Sequence, residues 1–217
     1  MSDEFLAPPN PSDPWSYVRG LQPSSLCDWT GRMTAVLFLG TCNLRCPTCH
    51  NAGLAWTPER YPYLSTASIQ QFIHSRKHWL DGVVVSGGEP TVVPGLSNLL
   101  QDLLDFGLPL KLDSNGLHPE VLKDLIQTDL VQAVAVDVKG PFAKYPALTG
   151  NRCTPQQAET ALHQVFDLAG AYPHLFFFRC TAVPELTQED LAHVQDLVPP
   201  GFEVSLQTYR PPQDFLL

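Results

Sequence analysis

The chain has 217 residues, 44% hydrophobic and 16% charged, with 13 Lys and Arg against 22 Asp and Glu for a formal net charge of −9. Such a composition belongs to a folded domain rather than a disordered chain. The acidic balance argues against a general nucleic-acid or anionic-membrane binder, because both reward Lys/Arg surfaces, so any positive site must be local.

No run of about 18 apolar residues occurs, so no membrane span is expected. The acidic, Pro-rich start MSDEFLAPPNPSDPW lacks the basic residues and apolar stretch of a signal peptide. The expected setting is cytoplasmic, where six cysteines serve as thiols and ligands rather than disulfides. Residues 1–17 read as a loose tail punctuated by Pro8, Pro9, Pro11 and Pro14.

Short apolar runs then alternate with helix-like segments. TAVLFLG (34–40) predicts a buried strand, STASIQQFIHSRKHW (65–79) a helix with Ser65 or Thr66 as cap, and GVVVSGG (82–88) a second strand. LSNLLQDLLDFG (96–107) predicts a helix closed by Gly107, LPLKLDSNG (108–116) a third strand, and HPEVLKDLIQ (118–127) a short helix with proline near its start. LVQAVAVDVKG (130–140) follows as a fourth strand, TPQQAETALHQVFDLAG (154–170) as a helix capped by Thr154, and HLFFFRCTAV (174–183) as a fifth strand. TQEDLAHVQDLV (187–198) predicts the last helix and FEVSLQTY (202–209) the last strand, before a short tail at 211–217. Six strands alternating with five helices imply right-handed βαβ units, a parallel sheet and an α/β class, as a single domain over 18–210. Six units are too few for a closed eight-stranded barrel, which leaves an open partial barrel or a doubly wound sheet.

Polar residues gather where strands end: SGGEP, DSNG, DVKG, FRCT and QTYR. In parallel α/β proteins the carboxyl ends of the strands carry the site. The loop after the first strand, TCNLRCPTCHN, holds Cys42, Cys46 and Cys49 in C-x3-C-x2-C spacing. Three cysteines in eight residues among polar neighbours make a poor packing pattern. Structural zinc wants a fourth ligand, and His50 is badly placed to join its neighbour. C-type haem attachment through CPTCH requires export and leaves Cys42 unexplained. The remaining reading is a four-iron, four-sulfur cluster with three thiolate ligands, whose fourth iron stays open to bind something else.

These motifs resemble the radical S-adenosylmethionine (SAM) superfamily, over about residues 18–210. The segments GLQPSSLCDWTGRMTAVLFLGTCNLRCPTCHNAGL, DGVVVSGGEPT, KLDSNG, VAVDVKGP and FRCTAVPE are similar to activating proteins of anaerobic ribonucleoside-triphosphate reductase and, more distantly, to pyruvate formate-lyase activating enzymes. The resemblance implies a partial (β/α)6 barrel with parallel strands and outer helices. It implies a 4Fe-4S cluster on Cys42, Cys46 and Cys49, SAM on the open iron, and a glycyl radical made on a partner enzyme. The electron would come from reduced flavodoxin or ferredoxin.

The resemblance also assigns residues around SAM. Gly87 and Gly88 would bring backbone close to the ligand, where no Cβ intervenes, with Glu89 near the methionine amine and Pro90 fixing the turn. Asp113, Ser114 and Asn115 would lie by the carboxylate and ribose. Asp137 and Lys139 share a strand face by alternation; they match an acidic ligand and a lysine near SAM, or form a plain salt bridge. A monovalent cation would sit at Asp113, Ser114 and Asp137. Arg179 would bind a carboxylate of SAM, or act as a structural ion pair. His50 would shield the cluster or contact adenine, flanked by Asn51 and followed by Trp56. Cys27, Cys153 and Cys180 fall outside the cluster pattern and read as structural or incidental. Two other functions compete: a radical SAM enzyme acting on a small molecule, such as a deazapurine synthase, and a non-catalytic electron-transfer module.

Overall fold

A computed structural model describes residue 10 and residues 12–211. The strands are β1 (Val18–Ser25), β2 (Thr34–Leu39), β3 (Gly82–Gly87), β4 (Leu110–Ser114), β5 (Ala133–Asp137), β6 (Phe176–Ala182) and β7 (Val204–Thr208). They form one sheet in sequence order, β1 to β7. β3 through β7 each pair in parallel with the preceding strand, while β1 pairs antiparallel with β2. The six expected strands are therefore β2–β7, and β1 is the correction. Its sequence VRGLQPSS carries Gly20 and Pro23, which weaken a strand signal, and proline is tolerated there because β1 is an edge.

The helices are α1 (Ala52–Trp56), α2 (Thr66–Arg76), α3 (Leu96–Leu104), α4 (Pro119–Gln127), α5 (Tyr145–Leu148), α6 (Pro155–Ala171) and α7 (Gln188–Leu197). The five longer ones are those expected. Their starts are set by local chemistry: Ser65 caps α2, and Thr154 and Thr187 close capping boxes with Gln157 and Asp190. α1 and α5 are too short to leave a periodic pattern. No helix among the described residues is long and apolar enough to cross a membrane.

Two cores result. The main one lies between the sheet and the helices, and includes Leu37, Val85, Leu99, Leu112, Val136, Leu162 and Phe178. A second, smaller one lies on the other face, where Trp29 of the β1–β2 loop meets Val36, Val84 and Ala133. Gly82 sits under this plug: a Cβ there would come within 3.0 Å of the Trp29 ring. One face of the sheet is thus covered by helices, while the other is plugged by Trp29 at one end and open at the strand carboxyl ends.

The expected loose tail is also shorter than read. Residues 1–9 and 11 lie outside the described residues, as do 212–217 of the C-terminal tail. Pro14–Tyr17, however, form a 3-10 turn capped by Asp13, and Trp15 is buried against α3 with its indole N–H donating to Asp102 Oδ2 (2.8 Å). Proline breaks helices but suits the first position of such a turn. Trp15→Ala should lower stability by about 3–5 kcal/mol, and Trp15→Phe by about 1 kcal/mol for the lost hydrogen bond. Urea midpoints of the two variants against wild type check both; an unchanged midpoint for Trp15→Ala would show this turn is not docked.

Candidate functional site

The cysteine loop begins at Thr41, whose φ of 74° lies in the left-handed region. That is strained for a β-branched residue and persists only where neighbours fix it. The Thr41 N–H donates to the Leu54 carbonyl (3.3 Å), and the Thr41 carbonyl accepts from the Glu89 N–H (2.9 Å). The end of β3 presses on this turn. A Cβ on Gly87 (φ 118°) would lie 2.4 Å from the Leu39 backbone, and one on Gly88 would lie 1.8 Å from the Thr41 carbonyl oxygen. Both glycines line the thiol cavity, and their missing Cβ atoms also admit main chain, that of Leu39 in β2 at Gly87 and that of Thr41 in the cysteine loop at Gly88.

Further contacts hold the loop. Asn51 donates to the Gly87 carbonyl (3.0 Å), and the Trp56 indole to the Leu44 carbonyl (3.1 Å). Arg45 Nη1 donates to the carbonyls of Cys42 (3.1 Å) and Leu44 (3.0 Å), and Asn115 donates to Asn43 Oδ1 (2.8 Å). Cys42, Cys46 and Cys49 are consequently half-buried free thiols that line one cavity of about 360 Å3. Burial pushes the Cys42 thiol up to about 12 and raises Cys46 and Cys49, with the Lys139 ammonium opposing the shift in the latter two. Thiols in this condition lose their protons when a metal supplies the compensating charge. Among the described residues no three His, Cys, Asp or Glu side chains close on a point for one ion. Three soft donors spread around a single cavity suit a multi-iron group, and disfavour one tetrahedral zinc.

His50 stands at the cavity mouth with an exposed ring. Its Nε2 is 2.5 Å from the Arg210 carbonyl and its ring is 5.7 Å from that of Tyr209, so its polar contact is with the segment after β7. Cys153 and Cys180 are buried in the main core, and Cys27 is exposed.

Glu89 is almost fully buried. Its Oε1 accepts from the Thr91 N–H (3.2 Å) and hydroxyl (2.5 Å) and from the Ser114 hydroxyl (2.8 Å), while Oε2 accepts from the Asn115 N–H (2.7 Å). Burial raises its pKa, against these donors. Glu89 lines the thiol cavity and ties the end of β3 to the end of β4. Asn115 Oδ1 accepts from the Leu117 N–H (3.0 Å), making the turn that DSNG foretold.

A chain of charges crosses the strand ends from β4 through β6 to β5. Lys111 pairs with Asp113 Oδ1 and donates to the Asp28 carbonyl (2.7 Å). Asp113 Oδ2 accepts from Ser86 (3.2 Å) and from Arg179 Nη1 (3.2 Å). Arg179 Nε donates to Asp137 Oδ1 (2.9 Å), and Lys139 to Asp137 Oδ2 (3.2 Å). Burial alone would raise the Asp137 pKa; Lys139 and Arg179 outweigh it and hold the carboxyl at about 2. The expected cation site is not assembled: both aspartates face Lys or Arg, and the Ser114 hydroxyl points to Glu89. Lys139 and Arg179 line the thiol cavity together with Asp28, Glu89, Asp113 and Asp137, so positive charge is local to the Lys139–Arg179 side of its wall. Lys111 went unnoticed in the sequence, although its spacing from Asp113 in KLD puts both on one strand face. Asn43 and Arg45 gave no signal, because their work is bracing the backbone.

The sequence profile described as the Radical SAM superfamily matches residues 36–198. A Methanocaldococcus jannaschii protein provisionally named a glycyl-radical enzyme activating enzyme is 31% identical over 196 residues, 89% of this chain and 80% of that protein. The 7-carboxy-7-deazaguanine synthase of Haemophilus influenzae is 33% identical over 89 residues, 41% of this chain and 38% of that one. Among solved structures, Streptococcus suis SuiB bound to S-adenosylmethionine superposes with a TM-score of 0.55 at 17% identity, over 81% of this chain and 40% of SuiB. That likeness, in which the chain spans well under half of SuiB, concerns the fold and agrees with the expected partial barrel.

Two outcomes test this geometry. Gly88→Ala should push the Thr41 carbonyl and, through it, Cys42, weakening iron retention about ten- to a hundredfold although no thiol is altered. Iron and sulfide analysis after anaerobic reconstitution measures it; full loading would show that the crossing has slack. Arg179→Gln should cost about 1–3 kcal/mol at neutral pH, since each aspartate keeps only its lysine. A carboxyl held below its unfolded value of about 3.8 contributes stability above that pH and loses it as pH falls through about 2. The deficit should therefore be full above about pH 4 and vanish near pH 2, as read by unfolding midpoints across that range; a pH-independent deficit would exclude the ion pairs as its source.

Proposed function

This chain belongs to the radical SAM superfamily, and from that premise we propose that it is an activating enzyme that installs a glycyl radical on a partner protein. The observation that carries the reading is the M. jannaschii relative, similar across 89% of this chain and named for that activity. The motif segments around the cluster loop and the strand ends support anaerobic ribonucleoside-triphosphate reductase as the partner, with reduced flavodoxin or ferredoxin as the donor.

The family implies SAM and a 4Fe-4S cluster, and the three half-buried thiols on one cavity fit that group. A cluster held there would supply the electron for reductive cleavage of SAM, and the resulting radical chemistry would be directed at a glycine Cα of the partner. Cys42, Cys46 and Cys49 would hold three irons and leave the fourth for the amine and carboxylate of SAM. Lys139 and Arg179, both on the cavity wall, would orient that carboxylate. Asn115 and Ser114, at the end of β4, would bound the ribose side. Gly87, Gly88 and Glu89 would act by fixing the loop against β3 and β4, and His50 by covering the mouth. Asp113 and Asp137 would act by holding Arg179 and Lys139 in place.

A second reading, deazaguanine synthesis, is favoured by synthases similar over 41–45% of this chain. The discriminating experiment reconstitutes the protein anaerobically, reduces it, and adds SAM with or without anaerobic ribonucleotide reductase. We expect 5′-deoxyadenosine by chromatography and a glycyl doublet on the reductase by electron paramagnetic resonance. Cys42→Ala, Cys46→Ala and Cys49→Ala should each reduce both to background. SAM cleavage with no radical on any glycyl-radical enzyme, but formation of a 7-carboxy-7-deazaguanine, would reverse the order of the two readings. Cleavage surviving loss of any one cysteine would refute the ligand set.

A further inference from the structure

The two edges of the sheet are built differently. β1, at one edge, contains Pro23 and two register shifts against β2, between Val18 and Gly20 and between Gln22 and Ser25. Prolines and bulges are the devices that stop a sheet edge from pairing with another chain. β7, at the other edge, has none of them. Its sequence VSLQT holds no proline, glycine or charge, it runs in unbroken register with β6 from Val204 to Thr208, and Ser205–Thr208 are all exposed. Leu206, on the helix side, is 55% exposed because no described helix follows β7 to cover it.

This bare edge borders the candidate site. Ser205 pairs with Arg179 and Gln207 with Thr181, so both point to the inner face. Gln207 lines the cavity that holds the three thiols. It also lines, with Ser205, a second cleft of about 770 Å3 that reaches the exposed Phe177 and the Trp29 plug. Asp28, Arg179 and Gln207 belong to both, so the two form one groove along the inner side of β7.

We propose that β7 is a docking edge for an extended segment of the protein substrate, which adds to the sheet as an eighth strand. This rests on the reading of the chain as an enzyme acting on a partner protein. Among the described residues no strand pairs with the outer side of β7; apart from the Val204 N–H, which donates to Gln195 Oε1 (2.9 Å), its outward backbone groups select an extended polypeptide, and a small molecule would leave most of them unpaired. A strand added outside β7 lies about 4.8 Å away, and alternate residues of it face the groove. The residue beside Gln207 would face the thiol cavity, and a glycine there presents its Cα with no side chain between. The described chain beyond β7 does not turn back along the edge, since Arg210 is held by His50 across the mouth. A second copy paired only through five residues would bury far less than the roughly 1,200 Å2 of a stable interface.

The test uses the cluster-loaded full chain, the intact anaerobic ribonucleotide reductase, and a labelled peptide spanning the reductase's glycyl-radical site. Peptide affinity is measured by fluorescence anisotropy, with single backbone N-methylations walked along the peptide. Pairing predicts a period of two: methylation at alternate amides weakens binding about tenfold, the loss of one backbone hydrogen bond, and intervening positions are tolerated. Leu206→Lys, which protects the edge with charge, should lower both peptide affinity and glycyl-radical yield by about tenfold while leaving 5′-deoxyadenosine formation without partner unchanged. Radical transfer to the intact reductase with no peptide binding, or with sensitivity lacking the period, would overturn the docking edge and leave the activase reading intact. SAM cleavage without a radical on the reductase or on any other glycyl-radical enzyme would remove that reading and this inference with it. A concentration-dependent dimer abolished by Leu206→Lys, with peptide affinity unchanged, would assign the edge to a second copy and overturn the proposal.

Discussion

The backbone crossing between Gly88 and Thr41 is the constraint on which the site depends. Two main-chain segments pass so closely that a single added carbon would lie 1.8 Å from a carbonyl oxygen. The contact sets where the cysteine loop leaves the sheet, and therefore where Cys42 points. Everything near it reinforces the same placement: the strained Thr41, the Glu89 N–H on its carbonyl, and Asn51 reaching back to Gly87. Loops are ordinarily the mobile part of an α/β protein. This one is tied to β3 by main chain at Thr41 and by the Asn51 side chain at its other end, and to β4 by the Asn43–Asn115 pair.

The second organising feature is charge. An acidic chain places Lys111 near the start of β4, Arg179 within β6 and Lys139 just past β5, and interleaves them with Asp113 and Asp137. Each carboxylate fixes two cations, so the basic groups are held in place before any ligand arrives. Preorganised charge of this kind binds an anion without a reorganisation cost. The same network explains why the aspartates are poor candidates for holding a cation of their own.

Much of this was legible in the sequence. The parallel strands announced themselves as uninterrupted apolar runs, and Cys42, Cys46 and Cys49 by spacing and polar company. SGGEP, DSNG and DVKG were read correctly as strand ends that meet. What could not be read were contacts between segments far apart in the chain. Gly87 and Gly88 signalled close approach, but the sequence does not say to what, and the answer was Leu39 and Thr41. Glu89 looked like a ligand because an acid follows two glycines; its partners Ser114 and Asn115 lie 25 and 26 positions away. β1 was missed because its proline and glycine are acceptable only at an edge, and edge status is a property of the assembled sheet. Trp15 was missed because the prolines around it suppress helix and strand alike, although Pro14 is well suited to start the turn that buries it.

The order of the strands in space is their order in the chain, and this bears on how the protein comes into being during synthesis. Each parallel strand pairs with one already made, so the sheet can grow in the direction of translation without waiting for its far end. The cysteine loop emerges after β2, but its position is fixed by β3, roughly forty residues later, and by β4 after that. A nascent chain that stops short of Gly88 carries three thiols and nothing to aim them. Assembly of the metal group is therefore a late event, possible only once the third and fourth strands have closed over the loop.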